Sequence, residues 1–316
     1  MQYGRSFRDR RFELGNLRAN SRHDETNSAG INIMKKRFWG FALPWIVGIA
    51  FLVLPIQTGT RAQAQGRGQA PAAATAYRAP RTADGKPDLN GIWQAMNEAN
   101  WDIQPHAAGF GRVVAMGAAD ATPPGLGIVD GGEIPYVPAA LAKKRENFEK
   151  RLSLDPEIKC YLPGVPRAMY QGRPYQIIQS TNVIMVVFEF AGAVRTINMD
   201  KPTEAPADSW MGWSNGRWEG ETLVVDSTGF NDQSWFDRAG NFHSDALHLV
   251  ERFTATSADH LNYEVTIEDK NVFSRPWKLS MPLYRRKERT AQVMEFKCVE
   301  FAEELMYGHL RKQPTK

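Results

Sequence analysis

The second half of the chain is written in a period of two. In "HLNYEVTIED" Leu261, Tyr263, Val265 and Ile267 share one face, and Asn262, Glu264, Thr266 and Glu268 share the other. That is the alternation of a half-buried strand. "YQIIQSTNVIMVVFEFAGAVRTINMD" predicts two or three strands, with Ser180-Thr181-Asn182 as a turn, and "ETLVVDSTGF" predicts another. "ALHLVERFTATSADHLNYEVTIED" reads as a hairpin turning near Ala258-Asp259. In "WMGWSNGRWEG" the pair Asn215-Gly216 sits between aromatic flanks and predicts a tight hairpin turn. "WKLSMPLYRR" and "QVMEFKCVEF" complete the set. About eight successive strands with one apolar face close into an antiparallel barrel or stack as a sandwich.

The first half has a different texture. Residues 95–137 are rich in Gly, Pro and Ala and read as long loops. "PAALAKKRENFEKRLSLDP" predicts one surface helix over 139–153, opened by Pro138, stopped by Asp155-Pro156, and carrying a thin apolar stripe of Leu141, Phe148 and Leu152. Residues 65–80 hold little to bury and predict a flexible linker. Residues 81–316 are then expected to form a single mainly-β domain.

Upstream, Lys35, Lys36 and Arg37 precede an uncharged run from Phe38 to Ile56, and Ala62-Gln63-Ala64 supplies small residues for cleavage. This order predicts a signal peptide over 34–64. Residues 1–33 are then a disordered extension or a mis-assigned start. The apolar run approaches the roughly 20 residues that cross a bilayer, so an uncleaved anchor is the alternative, and the leader is the one part expected to meet a membrane.

The leader also explains the charge. Residues 1–64 carry ten Lys/Arg and four Asp/Glu, so a chain of net charge +4 leaves −2 on residues 65–316. The one dense basic run, 143–151, contains interleaved glutamates and reads as a solvated helix face. No basic stripe marks a nucleic-acid partner. In an exported, periplasmic or secreted protein the two cysteines, Cys160 and Cys298, invite one disulfide, with two buried thiols as the alternative.

Two resemblances extend this reading. Gly91 two residues ahead of Trp93 in "DLNGIWQ" resembles the Gly-x-Trp opening of lipocalin-like barrels. There the tryptophan plugs one end and a late arginine stacks on it, a role open here to Arg285, Arg286 or Arg289. The motifs "DGKPDLNGIWQ", "IKCYLPGVPR", "WFDRAGNFHSDALH" and "EFKCVEF" are similar to a broad family of exported bacterial proteins, over nearly all of residues 81–302. That resemblance implies no reaction, ligand or catalytic residue.

The chemistry concentrates in "WFDRAGNFHSDALHLVERF" (235–253). His243 with Asp245 can form an acid–base pair, with Arg238 or Arg195 to hold a substrate carboxylate or steady an oxyanion. If His243, Asp245 and His248 converge, with Asp237 added, they match a zinc or non-haem iron ligand set, although their spacing fits no standard motif. "DRAGN" equally suits a polar turn whose groups bond the backbone. Trp210, Trp213, Trp218 and Trp235 can wall a small-molecule pocket or pack a core. Glu189 and Arg195 are placed to pair across a hairpin. There is no Gly-x-Ser-x-Gly elbow, Gly-x-Gly-x-x-Gly, P-loop or Cys-x-x-Cys-His. Two functions follow as expectations. One is an exported barrel holding an apolar or aromatic small molecule in a tryptophan-lined cavity. The other is an enzyme on the same scaffold that uses His243 and Asp245 for isomerisation, elimination or hydrolysis.

Overall fold

Alternation in the sequence becomes a closed barrel. The computed structural model describes residues 77–109, 121–307 and 309; the predicted extension, signal peptide and most of the linker lie outside the described residues. Nine strands pair in chain order: β1 (Gly91–Ala95), β2 (Tyr175–Gln179), β3 (Val183–Phe188), β4 (Val194–Asn198), β5 (Trp213–Glu219), β6 (Thr222–Thr228), β7 (His248–Ser257), β8 (His260–Glu268) and β9 (Trp277–Arg285). β9 pairs back onto β1, so the sheet is a barrel and not a sandwich. In β8 the buried positions are Leu261, Tyr263, Val265 and Ile267, the face that the alternation marks.

Strand directions cannot alternate around a ring of nine, so one neighbouring pair must run parallel. That pair is β4–β5, joined by the crossing segment 199–212 and held by two register pairs, Ile197 with Ser214 and Asn198 with Asn215. It is a short seam beside the antiparallel ladders. A second gap arises because β1 is shorter than β9, and residues 128–130 fill it: Asp130 N–H donates to Lys278 O (3.0 Å) and Ser280 N–H to Ile128 O (2.9 Å). The loop-rich region 95–137 therefore completes the sheet.

The lumen is filled with side chains. Trp93, Tyr175, Phe188, Phe253 and Tyr263 are all buried there. Among them lies an ion pair, Arg195 with Glu251, 1% and 0% exposed. The guanidinium donates Nη1–H to Glu251 Oε1 (2.9 Å), Nη2–H to Glu251 Oε2 and to Ser227 Oγ (2.9 Å), and Nε–H to Ser214 Oγ (3.0 Å). Tyr263 Oη–H donates to Glu251 Oε1 (2.9 Å). Arg195 stands on β4, and its partners stand on β5, β6 and β7. One side chain thus reaches across the parallel seam. Burial lowers the Arg195 pKa and the Glu251 carboxylate raises it; the net shift is upward, so the guanidinium stays charged.

One end of the barrel follows the Gly-x-Trp reading. Arg285 lies 4.2 Å from the Trp93 ring centre, and Trp93 Nε1–H donates to Leu89 O (3.0 Å). Gly91 has φ +141°, and a Cβ there would stand 2.1 Å from Arg285 Nη1, so only glycine lets the arginine lie flat.

Other expectations need correction. Asn215-Gly216 lies inside β5, and the turn falls at Gly220 (φ +61°). A Cβ on Gly216 would come within 2.4 Å of Met199 Sδ, so that glycine makes room for a neighbour and not for a bend. Glu189 bonds Arg173 (3.3 Å), while Arg195 points into the lumen, so they form no pair. The predicted helix is two pieces, α1 (Pro138–Glu149) and α2 (Arg151–Leu154), broken at Lys150. Leu141 and Phe148 are exposed; α1 packs through Ala140 and Asn147 instead. "QVMEFKCVEF" forms no strand, because β1 already occupies the free edge of β9. This tail is tied down by the Cys160–Cys298 disulfide (Cα–Cα 5.6 Å) and by Phe296 between Phe190 and Arg173. A short helix, α3 (Ala302–Tyr307), follows.

The seam gives a direct test. Arg195→Met or Glu251→Leu alone strands a buried charge and is expected to lower stability by about 3–5 kcal/mol in denaturant unfolding. The double variant should lose clearly less than the sum of the two. Strict additivity would show that the pair does not act as a unit.

Candidate functional site

The segment 229–247 between β6 and β7 folds over the barrel end opposite Trp93. Its "DRAG" tip is a turn closed by a carboxylate. Asp237 accepts from Asn241 N (3.1 Å), Asn241 Nδ2 (2.6 Å) and, across the chain, Ile103 N (2.9 Å). Gly240 has φ +84°, and a Cβ there would stand 2.7 Å from Phe148 N, so the glycine lets α1 approach the turn. Asn147 Nδ2 donates to Gly240 O (3.3 Å) and fixes that approach.

His243 is 2% exposed and has both ring nitrogens engaged. The carbonyl of Ser244 can only accept, so Nδ1 carries the proton and donates to it (2.9 Å). Nε2 is then the acceptor for Ser234 Oγ–H (2.8 Å). Burial lowers the pKa of His243, which agrees with this neutral tautomer. Asp269 holds the next residue, accepting from Ser244 N (2.6 Å) and Ser244 Oγ (2.9 Å). Ser234 and Asp269 are the partners that sequence spacing missed, since one precedes the turn and the other lies beyond β8.

The predicted constellation separates. Asp245 is exposed and makes no hydrogen bond to His243. His248 sits on the outer face of β7, its Nε2 3.2 Å from Asp226 Oδ2 and its Nδ1 3.2 Å from Glu268 Oε2. Residue 248 is on the strand and 243 in the loop, and no bulge brings their side chains together. Among the described residues no three His, Cys, Asp or Glu side chains gather as a metal would require. The acid–base and metal arrangements drawn from His243, Asp245 and His248 are not formed.

Arg238 joins a different cluster. It lies over the Trp101 ring (4.4 Å) and donates Nε–H to Glu157 Oε2 (2.8 Å). Arg167, 1% exposed, bonds Asp155 through both Nη1 and Nη2, Glu157 through Nη2 and Asn100 through Nε. Burial raises the Glu157 pKa, but Arg167 and Arg238 outweigh it and hold the carboxyl at about 2. This network clamps the 155–161 loop to the cap. Its residues are far apart in sequence, and only the three-dimensional fold reveals it.

The tryptophans also divide. Trp213 points outward and donates Nε1–H to Thr203 Oγ1 (3.1 Å). Trp218 packs on the core near the end of β5, and Trp210, ahead of the start of β5, packs on the core with Tyr161 at 5.1 Å. Trp235 alone of the four lines a groove, of about 320 Å³, between α1 and the cap. Its apolar lining is Tyr161, Trp235, Phe242 and Leu154; the charged lining is Lys143, Lys159 and Asp232, with His243 and Ser244 beside them. Behind it the aromatic contacts run Phe242–Tyr136–Phe273–Trp277 into the barrel mouth.

Two measurements test the cap. His243→Ala leaves the Ser234 hydroxyl and the Ser244 carbonyl unpaired and is expected to cost about 2–3 kcal/mol in denaturant unfolding. A loss below about 0.5 kcal/mol would show that the imidazole anchors nothing. Burial first, then the neighbouring Asp102 carboxylate, pushes Asp237 up from 3.8 to about 7. Folding therefore takes up a proton between those values, and stability falls as pH rises from about 4 to 7. His248, also raised, adds a decline that is complete only above its folded pKa. The comparison that isolates Asp237 is Asp237→Asn, which should flatten the Tm-against-pH curve below pH 7.

No protein-family model and no curated protein matches this chain.

Proposed function

We propose that this barrel protein binds a small aromatic molecule carrying an acidic group, in the groove between α1 and the cap. The observation that carries this reading is the lining: Tyr161, Trp235 and Phe242 supply ring surface, and Lys143 and Lys159 supply two positive charges against the single carboxylate of Asp232. A flat ring covers apolar wall, and a carboxylate meets an ammonium. Lys143 already shares Glu146 (3.2 Å), whereas Lys159 makes no ion pair among the described residues and is the better anion partner. His243 serves as a fixed neutral wall. The Cys160–Cys298 disulfide supports an exported setting.

The strength is modest. A ligand of about twelve heavy atoms in a half-open groove gains roughly 5–7 kcal/mol, a Kd of about 10–200 µM. Titration with 2-naphthoate, followed by tryptophan fluorescence, is expected to saturate in that range, with 2-methylnaphthalene several-fold weaker. Lys159→Glu should weaken naphthoate about tenfold and leave the neutral ring unaffected. Equal affinity for both probes, or indifference to Lys159→Glu, would refute the site.

A further inference from the structure

The opposite end of the barrel holds a second cavity, of about 260 Å³, formed where residues 77–80 cross the rim. That segment is pinned: Asp88 N–H donates to Pro80 O (2.8 Å), and Ala79 is buried. The cavity has apolar walls from Trp93, Ala255, Leu261 and Pro80. Two opposite charges also line it, Arg285 and Asp88.

Arg285 has the Asp259 carboxylate as an electrostatic neighbour, but neither Arg285 nor Asp88 has all its polar atoms bonded. Arg285 donates Nε–H to Ala258 O (2.9 Å) and Nη1–H to Asn90 O (2.6 Å), with its plane over Trp93, and Nη2 has no partner among the described residues. Asp88 Oδ1 accepts from Asn90 N (2.9 Å) and Asn90 Nδ2 (2.7 Å), and Oδ2 has no partner among the described residues. Both residues line one cavity, and no ion pair joins them. Arg285 is immobilised before any ligand arrives, so little side-chain freedom remains to be lost on binding.

From this arrangement we infer a binding site for an apolar α-amino acid. Its carboxylate meets the free edge of Arg285, its ammonium meets Asp88, and its side chain lies against Leu261, Ala255 and Trp93. A ligand with a single charge leaves one of the two groups uncompensated, so recognition requires both. The inference is independent of the groove, which lies at the other end of the barrel.

The test uses the full chain, labelled for amide and indole NMR, with alanine, valine, leucine and phenylalanine as probes. At least one should shift the Trp93 indole and the amides of 77–91 and 255–261. For leucine, the analogues 4-methylpentanoate and 3-methylbutylamine should each bind at least tenfold more weakly. Asp88→Asn keeps the Oδ1 acceptor and should leave Tm unchanged while abolishing the preference for leucine over 4-methylpentanoate. Three outcomes overturn the inference: no probe binds, the shifts fall elsewhere, or leucine and its two analogues bind alike.

Discussion

The barrel closes through a charge pair. Nine strands force one parallel junction, and the β4–β5 seam has only two register pairs to hold it. Arg195 compensates from inside, bonding groups on β5, β6 and β7 from its place on β4. An apolar side chain would pack there but could not reach four strands with directed bonds. The cost is two desolvated charges, offset only because Ser214, Ser227 and Tyr263 satisfy the remaining donors and acceptors. With this polar centre and the buried aromatic side chains around it, the lumen is a filled core, and the two grooves lie at its ends.

Those ends are built differently. At one, a single glycine lets an arginine lie on a tryptophan, which seals the barrel with two residues. At the other, a long cap needs α1, the 155–161 loop and the start of the 95–137 region, bound together by Arg167, Glu157, Arg238 and Asp237. The more parts a cap has, the more surface grooves lie between them. That is why the larger groove sits on the complex end.

How much of this was legible follows from the physics of each element. β8 declared itself because every second side chain meets the core. Gly91 and Trp93 were readable from a local motif, but the stacking arginine was narrowed only to Arg285, Arg286 or Arg289, and the fold selects Arg285. Asn215-Gly216 misled because a missing Cβ serves a neighbour as well as a turn. "QVMEFKCVEF" alternates but has no edge left to pair with. The Arg195–Glu251 pair was legible in principle: each residue occupies an inward position of an otherwise apolar face. Two such breaks of opposite sign in one sheet point to each other. The Ser234–His243 and Asp237–Ile103 bonds were not legible, since nothing local to either residue specifies its partner.

The Cys160–Cys298 bond has a consequence for how the molecule matures. One sulfur precedes β2 and the other follows β9, so the covalent ring encircles eight of the nine strands. The two thiols meet only when β9 has come round to β1 and the tail has settled on the 155–161 loop. The ring restricts the unfolded chain over that whole span and so makes a completed barrel hard to undo. A bond closed around eight strands distinguishes the finished form from every partial one.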